Sequence, residues 1–236
     1  MPRKLSRLRV ATYNVHRGVG SDRRRDLGRI AAVIGEIDAD IIGLQEVDWR
    51  HDHTDESGRF ELLSHLPGYR AVAGPNMRDH RGHYGNLLLT RLDVQQVRLV
   101  DLGPSNREPR GAIDADFHVC GENLRVIVTH LGLGLLERWR QAKRLRDIVS
   151  GRMHHPTVLL GDLNEWLPGS PTLRPLLGIC QSTARPASYP SCWPAVSLDR
   201  ILTHAVKPQP AVRAHDTRIA RKASDHLPIV ADLDLP

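Results

Sequence analysis

Short apolar runs recur along the whole chain, and they restrict the fold more than any other feature of the sequence. Several runs are continuous rather than alternating, such as Ile41-Ile42 and Val158-Leu159-Leu160. Continuous runs are typical of strands that are buried on both faces of a sheet. Strands are therefore predicted over residues 8–14, 40–47, 69–73, 86–91, 94–102, 112–119, 124–129, 157–161, 198–202 and 228–233.

Helical periodicity is clear in two places between these strands. One helix is predicted over residues 26–36, with Ser21 or Asp22 as its cap, and one over residues 135–150, where the spacing predicts Trp139 in the core. Strands outnumber helices, and the helices are scattered among them. This order favours a strand-rich α+β sandwich over a doubly wound parallel sheet.

Length, charge and cysteine content narrow the class of protein. We expect residues 1–236 to form a single domain and to act as a monomer. The three cysteines are far apart and form no CxxC pair, which argues against a disulfide framework or a zinc–thiolate site and favours a reducing, cytoplasmic location. No secretory signal and no apolar stretch of membrane-spanning length is expected.

Polar residues of a few types stand at or next to the ends of the apolar runs. A single acid at a strand end is usually a solvated cap, but here carboxylates, amides and histidines recur at strand after strand. They are Asn14, Glu46, His130, Asp162, Asn164, Asp199, Asp225 and His226.

These residue types suit one chemistry, the hydrolysis of a phosphate ester. Mg²⁺ binds through one or two carboxylates and keeps water molecules for a substrate phosphate, and Glu46 is the natural first ligand. Asp162 and Asn164 can orient or deprotonate a water molecule and hold a phosphate oxygen. A histidine paired with a carboxylate, His226 with Asp199, keeps a defined tautomer and can become cationic beside the phosphate.

In order and spacing, the motifs resemble those of the endonuclease/exonuclease/phosphatase superfamily, which includes deoxyribonuclease I, abasic endonucleases and sphingomyelinases. The resemblance runs from about residue 8 to residue 234. It implies a four-layer α/β/β/α sandwich of two packed mixed sheets, with the site at one open edge. The matching motifs are Tyr13-Asn14, Gln45-Glu46, Thr129-His130, Gly161-Asp162-Leu163-Asn164, Leu198-Asp199-Arg200 and Ser224-Asp225-His226.

The same resemblance implies a role for each residue. The implied metal residues are Glu46, Asn14 and Asp225; the implied catalytic residues are Asp162, Asn164, His226, Asp199 and His130; and the implied phosphate contacts are Arg107, Asn164 and His130. Arg110, three residues after Arg107, could also face phosphate or be only a charge at a strand edge.

The chain departs from its relatives at two positions. Deoxyribonuclease I pairs its second histidine with a glutamate, but the matching segment here, 83–86, contains no acid, so His130 has no expected partner. Abasic endonucleases carry an acid two residues after the first asparagine, where this chain has His16. This second difference weakens the hypothesis of a second metal ion.

The sequence therefore predicts a Mg²⁺-dependent phosphodiesterase, with Mn²⁺ as an alternative metal. A net charge of +6 favours an anionic partner, either nucleic acid in a nuclease-type reaction or the headgroup of an anionic phospholipid or inositol phosphate. An aromatic content of 4% argues against a surface that stacks many bases. A catalytically idle binding module on the same fold is a third reading. Trp166 and Trp193 adjoin the motifs and either contact an apolar part of the substrate or pack within loops.

Overall fold

The computed structural model describes residues 7–49, 61–80, 82–103, 108–152 and 154–234, and within these residues the strands form two mixed sheets. The first sheet contains β1 (Arg7–Asn14), β2 (Ile41–Asp48), β3 (Arg70–Asp79), β4 (Gly82–Thr90), β10 (Ala211–Ala214) and β11 (Ile229–Asp234), in the order β10-β11-β1-β2-β4-β3. The second contains β5 (Val94–Asp101), β6 (Gly111–Val119), β7 (Glu122–His130), β8 (Thr157–Asp162) and β9 (Asp199–His204), in that order. The helices are α1 (Leu27–Ile37), α2 (Glu61–Ser64), α3 (Leu135–Ser150), α4 (Arg174–Leu177) and α5 (Ala220–Ala223).

Three apolar clusters separate four layers. One lies between α1 and the outer face of the first sheet, one between the two sheets, and one between the second sheet and α3 with α4. Side chains alternate accordingly. On β1, Val10 faces the other sheet and Ala11 faces α1; on β8, Leu160 faces the other sheet and Leu159 faces α3. The predicted α/β/β/α sandwich is confirmed.

Each sheet contains one parallel pair of neighbouring strands. β1 runs parallel to β2 through α1, and β7 runs parallel to β8 through α3, whereas the other pairs are antiparallel. The carboxyl ends of two parallel strands lie at the same edge of a sheet. The four strand ends that carry the predicted site residues are thereby brought to one edge of the sandwich.

The two sheets approach closely at Gly43 in β2. A Cβ atom at this position would lie 2.9 Å from both Val128 Cγ atoms and 3.2 Å from Leu160 Cβ in the facing sheet. Real Cβ contacts are not this short, so any larger residue would push the layers apart. Glycine at this position sets the separation of the layers next to the site.

The helix ends and faces correct two sequence predictions. The cap of α1 is Asp26, whose Oδ1 accepts a hydrogen bond from Arg29 N at 3.2 Å, not Ser21 or Asp22. Trp139 is exposed, because α3 turns Arg138 and Gln141 towards the protein together with Ala142 and Leu145. The edge strand β10 was not predicted. No helix in the described ranges has the length and apolar content needed to cross a membrane.

Candidate active site

Carboxylates and amides from both sheets meet at the shared edge. Asn14 is the last residue of β1, and His130 and Asp162 are the last residues of β7 and β8, where they are direct register partners. Asp162 is also the register partner of Asp199, the first residue of β9. Asn14 Nδ2 donates to Asp162 Oδ2 at 3.0 Å, so the first and second sheets are joined through these two side chains.

Glu46 sits at an irregularity of β2. The register of β2 with β4 shifts between Leu44 and Val47, and Glu46 has a φ of 58°, in the left-handed region. Non-glycine residues adopt this conformation only when the surroundings impose it, and they concentrate at functional sites. The half-buried carboxylate accepts a hydrogen bond from Asn14 Nδ2 at 3.0 Å. Asn14 therefore bridges the carboxylates of Glu46 and Asp162, while its own Oδ1 accepts from His16 N at 3.0 Å.

Asp199 and His226 form the predicted pair. His226 Nδ1 donates to Asp199 Oδ2 at 2.7 Å, and both side chains are buried. Burial alone would lower the pKa of His226, but the charge and hydrogen bond of Asp199, together with the charges of Asp162 and Asp225, raise it to about 10. The ring is therefore a cation at neutral pH in the metal-free protein. Its Nε2 points into the site, 3.9 Å from Asp162 Oδ2.

His130 lies on the other side of Asp162, with Nε2 3.5 Å from the same Oδ2 atom. Arg110 Nη1 donates to His130 Nδ1 at 3.0 Å, because a guanidinium is always a donor. Burial, the charge of Arg110 and that of His226 lower the pKa of His130 to about 3, against the opposing effect of Asp162. His130 is thus neutral in the metal-free site.

The turn after β8 fixes Asn164 against His130. Asn164 has a φ of 51°, which lets its backbone N donate to Asp162 Oδ1 at 2.9 Å. Its Nδ2 donates to Leu131 O at 2.8 Å and lies 3.0 Å from His130 Nε2. Asp162 Oδ2 is thus the point on which Asn14, His130 and His226 converge.

Several side chains at this edge offer ligand atoms for a metal. Among the described residues, the carboxylates of Asp162 and Asp199 and the His226 ring place ligand atoms within 4.8 Å of one another. The predicted ligand Asp225 lies beside them, with its Oδ1 3.3 Å from His16 Nδ1. Carboxylates dominate the donors at this edge, including Glu46, and Asp199 Oδ1 is buried without a hydrogen-bond partner. This donor chemistry suits a hard divalent cation.

The chain matches the model of the Endonuclease/Exonuclease/phosphatase family over residues 11–226. It belongs to this family. It is 28% identical to the protein YbhP of Escherichia coli (strain K12) over 244 aligned positions, which cover 96% of each chain.

Solved structures of low sequence identity share the fold. The endonuclease/exonuclease/phosphatase from Bacteroides vulgatus is 20% identical, with a TM-score of 0.78 and coverage of 98% of this chain and 99% of that one. TDP2 of D. rerio, in a complex with a single-stranded DNA product, is 16% identical, with a TM-score of 0.73 and coverage of 98% and 100%. The predicted resemblance to the family is confirmed.

For Arg110 the sequence left two alternatives open, a phosphate contact or a charge at a strand edge. Its buried guanidinium is the partner of His130 that the sequence left unidentified, and Arg110 Nη1 is also 3.2 Å from Glu108 Oε1. A signal was present: Arg110 lies two residues before Ala112, which pairs with Thr129 next to His130. Arg107, the phosphate contact implied by the family, lies outside the described residues.

Replacing Arg110 by glutamine should raise the pKa of His130 by about one unit, because the neighbouring positive charge opposes protonation of the ring. NMR titration of the His130 ring signals in metal-free protein measures this change. The exposed Arg144→Gln substitution on α3 removes the same charge far from the ring and should leave that pKa unchanged. An unaltered titration in R110Q would show that the guanidinium does not control His130.

Proposed function

We propose that this protein is a Mg²⁺-dependent phosphodiesterase that uses water as the nucleophile. The observation that carries the proposal is the placement of Asp162 Oδ2 between two histidines in opposite protonation states. His226 Nε2 is 3.9 Å away on a ring held cationic by Asp199, and His130 Nε2 is 3.5 Å away on a ring held neutral beside Arg110. Such divergent titration of neighbouring groups is a mark of acid–base sites.

Glu46 and Asp225 would hold the metal, with Asn14 positioning the Glu46 carboxylate. When bound, the ion supplies positive charge that polarises a phosphoryl oxygen and lowers the pKa of a water molecule. Mg²⁺ is proposed because oxygen donors dominate the set, and Mn²⁺ suits similar ligands.

The protein's own side chains divide the remaining tasks. Asp162 orients the attacking water and accepts its proton, because its carboxylate is fixed by Asn14 and by Asn164 N. The His226 cation stabilises charge that develops on a phosphoryl oxygen. Neutral His130 and Asn164 contact the phosphate together, and the 3.0 Å contact between Asn164 Nδ2 and His130 Nε2 holds the two side chains side by side. The low pKa of His130 supports this binding role over that of a general acid.

Two substrate classes suit this chemistry, the nucleic acid favoured by the sequence and the headgroup of an anionic lipid. The net charge of +6 supports either of them. A cytoplasmic location and a monomeric state remain part of the proposal, and the location is supported by Cys120, Cys180 and Cys192, none of which forms a disulfide within the described residues.

Replacing Glu46 by glutamine should raise the Mg²⁺ concentration needed for half-maximal activity by about 10- to 100-fold, because a carboxylate ligand loses its charge. Hydrolysis of bis(p-nitrophenyl) phosphate, followed across a Mg²⁺ titration, gives this value. Glu122→Gln, on an exposed residue at the start of β7, is the matched control and should behave as the wild type. Wild-type activity that persists in excess EDTA would refute the metal requirement, and an unchanged Mg²⁺ titration in E46Q would refute the ligand assignment.

A further inference from the structure

Exposed apolar side chains are concentrated beside the active site. Of the eleven large hydrophobic residues that are exposed in the described ranges, seven lie on the three segments that follow His130, follow Asn164 and precede Asp199. Exposed apolar side chains grouped around a site in this way are typical of a surface for a partner or a membrane. We call this set the apolar rim: Leu133, Leu135, Leu136, Trp166, Leu167, Tyr189 and Trp193.

Polar contacts link the segments that carry the apolar rim. Arg138 Nη1 donates to Leu133 O at 2.9 Å, and its Nη2 donates to Glu165 Oε2 at 3.3 Å. Leu167 N donates to Glu165 Oε1 at 3.0 Å, and Arg185 Nη2 donates to Trp166 O at 3.0 Å. The buried Arg138–Glu165 ion pair thus fixes the segment after His130 relative to the segment after Asn164.

The exposed face of α3 adds positive charge next to the apolar rim. Between Leu135 and Arg144 its exposed positions carry Arg140, Lys143 and Arg144 together with exposed Trp139, and they include no acid. Lys143 Nζ lies 5.5 Å from the centre of the Trp139 ring. Leucine and tryptophan flanked by lysine and arginine are typical of helices that lie in the interface of an anionic membrane.

The leucines distinguish a lipid surface from nucleic acid. Nucleic acid is bound through cations and through aromatic rings that stack on bases, and leucine contributes to neither contact. Leu133, Leu135 and Leu136 are 63%, 66% and 59% exposed, so they are available to enter the acyl boundary of a bilayer.

We propose that the apolar rim and the α3 cations dock the active site on an anionic lipid bilayer, so that the substrate is a phosphodiester in a lipid headgroup. This inference rests on the proposed phosphodiesterase function and names its substrate class. Docking places the open edge of the sandwich against the headgroup layer, where Asp162 and His226 can reach a phosphate without extraction of the lipid.

Co-sedimentation with phosphatidylcholine vesicles, with and without phosphatidylglycerol, tests the docking. Wild-type protein should sediment with the anionic vesicles, and L135E/L136E should bind them about 100-fold more weakly, because each glutamate replaces an apolar side chain that enters the interface. Glutamate in the first turn of a helix favours the helix, so the double variant should remain folded. R140Q/K143Q/R144Q should lose the preference for anionic vesicles.

Leu99→Glu is the matched control, because Leu99 is 55% exposed on β5, at the opposite edge of the second sheet from β9. It should bind vesicles as the wild type does. Hydrolysis of soluble bis(p-nitrophenyl) phosphate should be unchanged in L135E/L136E, while release of the lipid headgroup falls.

Wild-type protein that stays unbound with both vesicles, or L135E/L136E that binds equally well, would overturn the docking surface. Single-stranded DNA binding that depends on Leu135 and Leu136 would assign the apolar rim to nucleic acid and overturn the lipid proposal. Vesicle binding without any hydrolysis of the soluble diester would instead contradict the phosphodiesterase function and leave the docking surface standing.

Discussion

Replacing Asp162 by asparagine is expected to lower kcat/KM for bis(p-nitrophenyl) phosphate by about 100-fold or more, because the amide cannot accept the proton of the attacking water. The carboxylate is the convergence point of the site, with Asn14 Nδ2 at 3.0 Å and the Nε2 atoms of His130 and His226 at 3.5 and 3.9 Å. Steady-state kinetics at saturating Mg²⁺ measure the loss. An unchanged rate would remove Asp162 from the role of base.

The same substitution also affects folding, and the two effects can be separated. Both carboxylate oxygens of Asp162 accept N–H groups, from Asn14 and from Asn164, so an amide nitrogen would face a donor on one side. The rate must therefore be expressed per folded molecule, with the folded fraction taken from thermal unfolding. Asp116→Asn is the control, because it weakens ion pairs with Arg98 and Arg152 on the second sheet away from the site and should reduce stability but not turnover.

Replacing Asp199 by asparagine is expected to reduce the free energy of unfolding of the metal-free protein by about 3 kcal/mol near pH 6, because it breaks a buried ion pair. The pKa of His226 is raised in the folded protein from 6.5 to about 10. The stability that this shift contributes is fully present below pH 6.5 and is lost as the pH rises through 10. The difference between the wild type and D199N should therefore shrink across that range.

Denaturant unfolding at several pH values in the presence of EDTA checks this dependence, and a difference that stays constant from pH 6.5 to 10 would contradict it. The exposed pair of Arg221 with Asp216 provides the comparison, because removing it with Asp216→Asn should leave stability nearly unchanged across the same pH range. Turnover at neutral pH should also fall in D199N by about 100-fold, because burial then favours the neutral form of His226.

The sequence predicted the layers and the edge residues for a physical reason. Continuous apolar runs identify strands buried on both faces, and parallel strands bring their carboxyl ends to one edge, so His130 and Asp162 were predictable as neighbours. The contact between Asn14 and Asp162 was not, because it depends on how two separate sheets pack. The edge strand β10 was missed because its four residues are short of the apolar length that marks a strand.

Side chains that act against their usual tendency were the other source of error. The helical spacing predicted that Trp139 of α3 faces the core, but the helix instead buries Arg138, which is paired with Glu165. Arg110 was left open as a strand-edge charge or a phosphate contact, since arginine is usually exposed, yet it is buried against His130. Burial of a cation requires a partner that only the three-dimensional arrangement provides.

The absence of a Cβ atom at Gly43 links the packing of the protein interior to the geometry of the site. Asn14 is anchored to the first sheet and Asp162 to the second. The distance between the two sheets therefore sets the distance between the site residues that they carry. A methyl group at this position would force the facing side chains to shift, and a displacement of about 1 Å in a catalytic group can cost about 100-fold in rate. Under the proposed function, selection for catalytic rate would therefore constrain the volume of residues that never meet the substrate, and the apolar interior would not change in size independently of activity.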